Sequence, residues 1–247
     1  MEKKTILIAI IVVAIFATTA CCVSTKYTIV ASGHPAWSPV MYQSGEHISG
    51  IGPEVASKVA EDIGFDFKSI YVGSWDMVQQ RGKAGEIDLI VAMYKTTERE
   101  KYFYFSIPYT VDPITPFIAK DKTFSLNKKE DLLGKKGVVT KGDSYGQELD
   151  DYIVKANLDI TVVETPDQGF SMIKEGKADY FLYSTYAGKA IIAEKNISGI
   201  KESGTISEQP FYMAISKKSP IAKYMNQINA SIERQISDPN SSLNKPH

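Results

Sequence analysis

Arg99 is the residue whose type and position best suit it to bind a negatively charged group. It follows the apolar run 89–93, which is typical of a buried strand, and it lies in the first turn of a short helix that Thr96 or Thr97 can cap. A helix start offers free backbone N–H groups, and a guanidinium can donate two parallel hydrogen bonds to a carboxylate. An ion pair with a neighbouring surface acid is the alternative. The pattern predicts an anion site centred on Arg99.

Two tryptophans lie close to points where strands are predicted to end. Trp37 lies in a loop, because two prolines within residues 34–39 disfavour regular structure, and Trp75 lies at a helix start that Ser74 can cap. Two indoles at strand ends would hold a flat or apolar solute, or a cation over a ring face. Packing in the core is the alternative, because tryptophan is largely buried on average.

Strands and helices alternate along the chain in two similar series. One series falls within residues 27–93 and the other within residues 137–183, and each reads strand, helix, strand, helix, strand. Gly-Glu-Ile-Asp-Leu-Ile from Gly85 and Gly-Lys-Ala-Asp-Tyr-Phe from Gly176 each follow an amphipathic helix and enter a strand. The repetition predicts two α/β lobes with ligands at the strand ends.

The segment after Arg99 reads Phe-Tyr-Phe-Ser-Ile-Pro-Tyr over residues 103–109. Together with Thr96-x-x-Arg99 and the upstream Gly-Glu-Ile-Asp-Leu-Ile, it resembles the family 3 extracellular solute-binding proteins of ABC transporters, over about residues 27–236. In that family the arginine of Thr-x-x-Arg holds the carboxylate of an amino acid or similar solute between two lobes. The resemblance implies an α/β, two-lobed fold of the type II periplasmic-binding-protein kind, in which each lobe is a mixed sheet flanked by helices.

The resemblance also predicts where the chain passes between the lobes. Lobe 1 comprises residues 27–115 and 209–240, lobe 2 comprises residues 116–208, and residues 241–247 form a polar tail. Two crossings, near residues 114–119 and 207–211, then form a two-strand hinge. Closure about this hinge brings Arg99 and the aromatic residues of lobe 1 against residues 142–144 of lobe 2.

The segment Gly-Asp-Ser-Tyr-Gly, residues 142–146, links a predicted strand to a predicted helix in lobe 2. Relatives have Gly-Ser/Thr-Thr here and donate hydrogen bonds to the ligand carboxylate. Ser144 fits that role, and it also begins a capping-box pattern with Gln147. Asp143 is a departure, because an acid repels a carboxylate: it either turns away as a helix cap or receives a cationic group of the ligand.

Two further positions matter for the ligand that the resemblance implies. Tyr94 stands where relatives have a hydroxyl residue, and it either hydrogen-bonds the ligand carboxylate or faces the other side of its strand. Ser184 stands where relatives that bind α-amino acids place an aspartate for the ammonium, and a serine cannot supply that charge. Either Asp143, Glu208 or Asp112 supplies it, or the ligand is a carboxylate without an α-ammonium.

The charge of the chain argues against one function, and its first residues indicate export. A net charge of −1 without a Lys/Arg cluster argues against nucleic-acid binding. Residues 1–20 carry Lys3-Lys4 before an apolar run, as expected for a secretory leader that is cleaved or remains as an anchor. Cleavage before Cys21 would leave a thiol for lipidation. The two cysteines are adjacent, so they can neither staple the fold nor form a zinc site.

The sequence therefore predicts an exported, monomeric binding protein, periplasmic or at the cell surface and anchored to the membrane. Its partners are a small carboxylate or amino acid and an ABC permease, without a metal or cofactor. Three scattered histidines and the absence of common catalytic motifs argue against an enzyme. Two alternatives remain: a cleft enzyme of the same fold, similar to a dehydratase, and a ligand-sensing domain.

Overall fold

The computed structural model describes residues 26–244. The strands are β1 (Thr28–Ser32), β2 (Ala36–Trp37), β3 (Met41–Ser44), β4 (His47–Ser49), β5 (Asp66–Ser69), β6 (Leu89–Met93), β7 (Phe103–Ala119), β8 (Lys136–Thr140), β9 (Asp159–Val163), β10 (Tyr180–Ser184), β11 (Ile200–Glu202) and β12 (Ser207–Ser216). The helices are α1 (Ile51–Asp62), α2 (Trp75–Ala84), α3 (Thr97–Glu100), α4 (Gln147–Lys155), α5 (Pro166–Lys174), α6 (Thr185–Glu194) and α7 (Met225–Ser237). Short 3₁₀ helices span Lys129–Leu132, Pro220–Tyr224 and Ser242–Asn244.

One sheet runs through both halves of the molecule. Its strand order is β5-β1-β6-β12-β7-β10-β8-β9, and β11 pairs with β7. The strands β5, β1 and β6 are parallel at one end, β10, β8 and β9 are parallel at the other, and the antiparallel pair β7 and β12 lies between them. The predicted two-lobed α/β architecture with a two-strand connection is confirmed. The exact boundaries at residues 115 and 208 stay a prediction.

Helices cover each lobe. In lobe 1, α1 packs on β5 and α7, and α2 packs on β6; in lobe 2, α5 packs on β8 and α6 packs on β10. The capping predicted for α2 is confirmed, because Ser74 accepts a hydrogen bond from Met77 N and the helix ends at Gly85, which has φ 84°. Helix α1 begins after Gly50, which has a φ of 115°. A Cβ atom added to this residue would lie only 2.6 Å from the carbonyl oxygen of Pro39, so a residue with a side chain does not fit here.

The prediction of a plain loop for residues 34–39 is wrong. Ala36 and Trp37 form β2, which pairs antiparallel with β3, and β3 pairs with β4 in a separate three-stranded sheet. The prolines lie on either side of β2 and not within it, so neither has to donate a hydrogen bond to the ladder. This small sheet holds Trp37 against the cleft between the lobes, where it is 4% exposed.

The leader predicted for residues 1–20 and the lipidation site at Cys21 lie outside the described residues. Within residues 26–244, none of the helices is both long enough and apolar enough to cross a membrane. The first part of the predicted polar tail forms the 3₁₀ helix at Ser242–Asn244.

Candidate functional site

A small cavity lies between the two lobes, beside the ends of β1, β6 and β8. Its volume is about 20 Å³, room for about one water molecule. Six of the eight predicted ligand-binding residues line it: Trp37, Trp75, Tyr94, Arg99, Asp143 and Ser144. Five residues that were not predicted also line it: His34, Met41, Ala92, Met93 and Phe211. Thr96 lines an adjoining cleft of about 440 Å³. Ser184 is completely buried behind the cavity.

Arg99 lies in α3, as predicted, and its backbone N–H donates to the capping hydroxyl of Thr96 at 3.3 Å. The side chain is nearly buried at 6% exposure, so surface pairing with Glu98 or Glu100 does not occur: Lys101 pairs with Glu98 and Lys95 with Glu100. Burial lowers the pKa of Arg99, which the negative charge of Asp143 opposes.

The guanidinium of Arg99 keeps hydrogen-bonding capacity for a ligand. It donates to the carbonyl oxygen of Tyr94 at 2.9 Å and to that of Gly142 at 3.2 Å. A guanidinium has five N–H donors, so three remain beyond these two backbone bonds. It also lies over the Trp75 ring, with Cζ 5.7 Å from the ring centroid, a cation–π contact. This arrangement suits bidentate binding of a carboxylate.

The carbonyl oxygen of Gly142 is where the two lobes meet. It accepts from Trp75 Nε1 at 3.0 Å, from Gln79 Nε2 at 3.0 Å and from Arg99 Nη2 at 3.2 Å. Gly142 adopts φ 78°, a conformation that glycine reaches without strain. Since all three donors belong to lobe 1 and the acceptor to lobe 2, the structure is that of a closed cleft.

Asp143 does not cap helix α4, because the residue at the N-cap is Gly146. Its side chain is 0% exposed and faces the cavity, and neither carboxylate oxygen has a hydrogen-bond partner among the described residues. His34 lies beside it, with Nε2 3.4 Å from Asp143 Oδ1. A buried carboxylate without partners is costly, so this position is suited to a cationic group.

His34 lies beside Asp143 without a hydrogen bond to its carboxylate. Its Nδ1 accepts a hydrogen bond from Ala36 N at 3.0 Å, which requires Nδ1 to be unprotonated. The ring hydrogen then resides on Nε2, on the side of Asp143. His34 was not predicted for the site, because one of three scattered histidines gives no signal in the sequence.

Ser144 lines the cavity, but its hydroxyl is already engaged within lobe 2. It donates to Asp150 Oδ2 and accepts from Gly146 N at 3.2 Å. Asp150 Oδ1 also accepts from Tyr145 N at 2.8 Å. The capping box predicted for Ser144 and Gln147 is therefore wrong: Asp150 competes for the hydroxyl, and α4 begins only at Gln147. Burial raises the pKa of Asp150.

Trp37, Tyr94 and Ser184 converge on a buried carboxylate, Asp112 of β7, which is 1% exposed. Asp112 Oδ2 accepts from Trp37 Nε1 at 2.7 Å and from Tyr94 OH at 2.5 Å, and Oδ1 accepts from Ser184 Oγ at 2.7 Å. In the sequence, Asp112 was one of three candidates to replace the acid missing at Ser184. Its position just before the crossing predicted near residues 114–119 was the only feature that marked it in the sequence.

The aromatic rings pack on one another at the cavity wall. Trp37 lies 5.0 Å from His34, 4.8 Å from Tyr183 and 6.4 Å from Phe211 between ring centroids. Tyr94 lies 4.6 Å from Phe211. The predicted sandwich of two indoles is thus a larger cluster, in which each tryptophan both packs and lines the cavity. Among residues 26–244, no group of three or more His, Cys, Asp or Glu side chains is arranged to hold a metal ion.

The chain has two lobes that are joined by paired strands, and the cleft between them closes on an arginine. These are the features of a solute-binding protein. The family model of the bacterial extracellular solute-binding proteins, family 3, matches residues 29–240, and the chain belongs to this family. The resemblance noted in the sequence is confirmed over nearly the whole described chain.

Similar proteins include an L-cystine-binding protein, ArgBP and a sensor domain. The L-cystine-binding protein TcyJ of Escherichia coli (strain K12) is 21% identical over 215 residues, covering 86% of this chain and 80% of TcyJ. A histidine kinase sensor domain with similarity to periplasmic binding proteins has a TM-score of 0.74 at 19% identity, covering 86% and 92% of the two chains. Holo ArgBP from T. maritima has a TM-score of 0.71 at 22% identity, covering 87% and 93%. The two structures show the same fold.

Proposed function

We propose that this protein binds an amino acid, or a closely related carboxylate that bears an ammonium group, outside the cytoplasm and delivers it to an ABC permease. Arg99 binds the carboxylate, and Asp143 accepts the ammonium. Membership of the extracellular solute-binding family supports the transport role. The names of TcyJ and ArgBP, which refer to L-cystine and arginine, support an amino acid as the solute.

The main support for the proposal is that two opposite charges line one cavity. Each of the two charged groups can still form hydrogen bonds with a ligand. Arg99 comes from lobe 1 and has three N–H groups beyond its two backbone bonds. Asp143 comes from lobe 2 and has both oxygens without partners among the described residues. A zwitterion satisfies both groups at once. A carboxylate without an ammonium satisfies only Arg99 and adds a like charge beside Asp143.

Ligand entry requires the lobes to separate. The cavity of about 20 Å³ has room for about one water molecule, so an amino acid held between Arg99 and Asp143 needs more space there. Both residues also line the adjoining cleft of about 440 Å³. The contacts that close the cavity, such as those at the Gly142 carbonyl, join one lobe to the other. Hinge motion of two rigid lobes about paired strands is the usual way to open such a site.

The remaining features of the proposal concern the surroundings of the site. The protein acts as a monomer, anchored either by an uncleaved leader or by lipidation at Cys21, and it catalyses no reaction on its solute. Recovery of the solute unchanged, checked by mass spectrometry after incubation at high protein concentration, supports the last point. A new product would favour the cleft enzyme instead.

A thermal-shift screen tests the proposed ligand class. Each L-amino acid, including L-arginine and L-cystine, is compared with the corresponding acid that lacks the α-amino group. A ligand present at 100 times its Kd stabilises the folded state by ~2.7 kcal/mol, which raises the melting temperature measurably. We expect at least one amino acid to stabilise the protein and its desamino partner to have no effect. Stabilisation by the desamino acids alone would contradict the role of Asp143.

A further inference from the structure

The side chains around Arg99 and Asp143 in the cavity are largely apolar. Four of them carry neither nitrogen nor oxygen: those of Met41, Ala92, Met93 and Phe211. All four residues are buried, with at most 2% exposure. Methionine side chains are flexible and polarisable, so they pack against apolar groups of different shapes. These four side chains therefore offer a solute van der Waals contact and no strong hydrogen bond.

The three aromatic residues of the cavity wall that carry a polar atom already use its hydrogen within the protein. Trp37 Nε1 donates to Asp112 at 2.7 Å, and Tyr94 OH donates to the same carboxylate at 2.5 Å. Trp75 Nε1 donates to the Gly142 carbonyl oxygen at 3.0 Å. An indole has one N–H group and a phenol has one O–H group. These rings therefore have no donor left for a polar group on the solute side chain.

The charges at the cavity match a solute that has no net charge. Among the described residues, one basic and one acidic side chain line the cavity, Arg99 and Asp143, besides the imidazole of His34. The carboxylate of an amino acid pairs with the first and its ammonium with the second. A further charge on the solute side chain would be buried without a partner, which is costly.

Two polar clefts adjoin the cavity, but their acids are already engaged. One cleft, of about 440 Å³, shares Arg99, Asp143 and Ser144 with the cavity, and the other, of about 320 Å³, shares His34 and Trp75. Apart from Asp143, each acid that lines a cleft has a hydrogen-bond or ion-pair partner: Glu98 with Lys101, Asp150 with Ser144, Asp76 with Gln80, Glu164 with Lys141, and Asp167 with Lys195. A cationic side chain that reached either cleft would have to displace one of these partners.

The apolar part of the cavity belongs to one lobe. All seven aromatic and aliphatic residues of the wall lie in lobe 1, whereas Asp143 and Ser144 come from lobe 2. Residues of one lobe keep their neighbours when the two lobes separate to admit a solute. The apolar character of this surface is therefore a property of lobe 1 and does not depend on the volume of the closed cavity.

We propose that the solute is an amino acid with an uncharged, apolar side chain, such as leucine, methionine or phenylalanine. This side chain packs against lobe 1 among Trp37, Met93 and Phe211, while the ammonium and the carboxylate contact Asp143 and Arg99. The inference rests on the proposed function and adds the class of side chain to it. It predicts that neither L-arginine nor L-cystine is the preferred solute.

The first test compares solutes by calorimetry with the full-length protein. L-leucine, L-methionine and L-phenylalanine are compared with L-arginine, L-lysine, L-glutamate and L-cystine. We expect the preferred solute to be one of the first three and the others to bind about a hundredfold more weakly, because their additional charges would be buried without partners. A preferred solute with a charged side chain would overturn the inference and leave the proposed function intact. Failure of every amino acid to bind would overturn both.

Glycine betaine tests a different use of the aromatic residues. Its trimethylammonium group can pack on ring faces, but it has no N–H group to donate to Asp143. Both oxygens of that carboxylate lack hydrogen-bond partners among residues 26–244. We therefore expect glycine betaine to bind more weakly than the preferred apolar amino acid. Stronger binding of glycine betaine would place the apolar groups on the nitrogen and overturn the inference.

The variant Phe211→Leu tests where the solute side chain lies. It keeps the wall apolar but removes ring atoms, which leaves space that a larger solute side chain can fill. We expect the affinity for L-leucine to fall about fivefold and the affinity for L-phenylalanine to fall less. Phe105→Leu is the matched control, because Phe105 is a partly buried ring that packs on Tyr212 and does not line the cavity.

The measured quantity is the ratio of the two affinities in each variant. A ratio that changes in Phe211→Leu and stays as in the parent chain in Phe105→Leu supports the inference. The same ratio in Phe211→Leu and in the parent chain would remove the solute side chain from this wall and overturn it. Melting temperatures show whether both variants are folded. If Phe211→Leu does not fold, the comparison of solutes on the parent chain decides the inference.

Discussion

The two walls of the cleft hold their polar groups in different ways. On the lobe 1 wall, Trp37, Trp75, Tyr94 and Arg99 all make hydrogen bonds to the protein in the closed state. On the lobe 2 wall, the loop after β8 presents Asp143 with both carboxylate oxygens without partners among the described residues. The polar groups of the lobe 1 wall are thus largely held in place by hydrogen bonds, whereas lobe 2 contributes a buried carboxylate that has no hydrogen-bond partner among the described residues.

The difference suggests a division of roles between the walls. Preorganised groups lose little freedom when a ligand binds, so the lobe 1 wall is suited to provide most of the affinity. An unpartnered buried charge discriminates between ligands, because a ligand without a matching group leaves it unsatisfied. We expect substitutions on lobe 1 to weaken all ligands and a substitution at Asp143 to change which ligands bind.

The largest effect is expected for Arg99→Ala, which removes the cation of the lobe 1 wall. Leaving a ligand carboxylate buried and unpaired costs about 3–5 kcal/mol, which is a loss of affinity of a hundredfold or more. The measurement is calorimetry with the amino acid identified by the thermal-shift screen. Arg81→Ala is the matched control, because Arg81 is a half-exposed arginine on α2, 3.9 Å from Glu86. Equal affinities in both variants would remove Arg99 from the site.

A smaller and ligand-dependent effect is expected for Asp143→Asn. For a zwitterion it removes the charge that meets the ammonium, at about 2–3 kcal/mol, because the amide oxygen still accepts a hydrogen bond. For a carboxylate without an ammonium, affinity is unchanged or rises, since a like charge near the anion is lost. Binding of both ligand types is measured by calorimetry.

Asp151→Asn is the control for Asp143→Asn. Asp151 is a half-exposed acid of α4 that pairs with Lys155 at 3.3 Å. A parallel loss for both ligand types in Asp143→Asn would mean that the residue supports the loop and does not select the solute. That result would make the two walls equivalent and remove the proposed division of roles.

The smallest effect is expected for Gln79→Ala, which deletes one of three donors to the Gly142 carbonyl. A single neutral hydrogen bond contributes about 1 kcal/mol, so affinity should fall about fivefold by favouring the open cleft. The neighbouring Gln80→Ala is the control, because Gln80 is exposed and bonds only within α2, to Asp76 at 2.7 Å. The affinities of both variants are measured by calorimetry. A fivefold loss of affinity in Gln80→Ala as well would mean that the effect comes from a change in helix α2 and not from the contact between the lobes.

Much of the fold was predictable because its signals are local. Alternating apolar segments and capping residues gave the two strand and helix series, including the start of α2 at Trp75 and its end at Gly85. The position of Arg99 at the start of a short helix after a buried strand was predicted in the same way. Strand β2 was missed because two prolines within five residues disfavour a strand on average, whereas here they flank it.

The sequence predicted most of the residues that line the cavity, but it did not predict their hydrogen-bond partners. Six of eight predicted residues line the cavity, since each lies at a strand end or helix start in its own lobe. Their partners are distant in the chain: 75 positions separate Trp37 from Asp112, and 72 separate Asp112 from Ser184. The competition of Asp150 for Ser144, which defeats the predicted capping box, also arises only once the loop has folded.

The sequence by itself determined the two α/β lobes, the family and the arginine at the cleft, because periodicity, capping and short motifs act between residues close in the chain. Tertiary structure alone decided that Asp143 faces the cavity without a hydrogen-bond partner among residues 26–244, that His34 lies beside it, and that Asp112 accepts hydrogen bonds from both lobes. These facts depend on where the lobes meet. A hydrogen bond forms only within about 3 Å, and the sequence does not specify such distances between segments that are far apart in the chain.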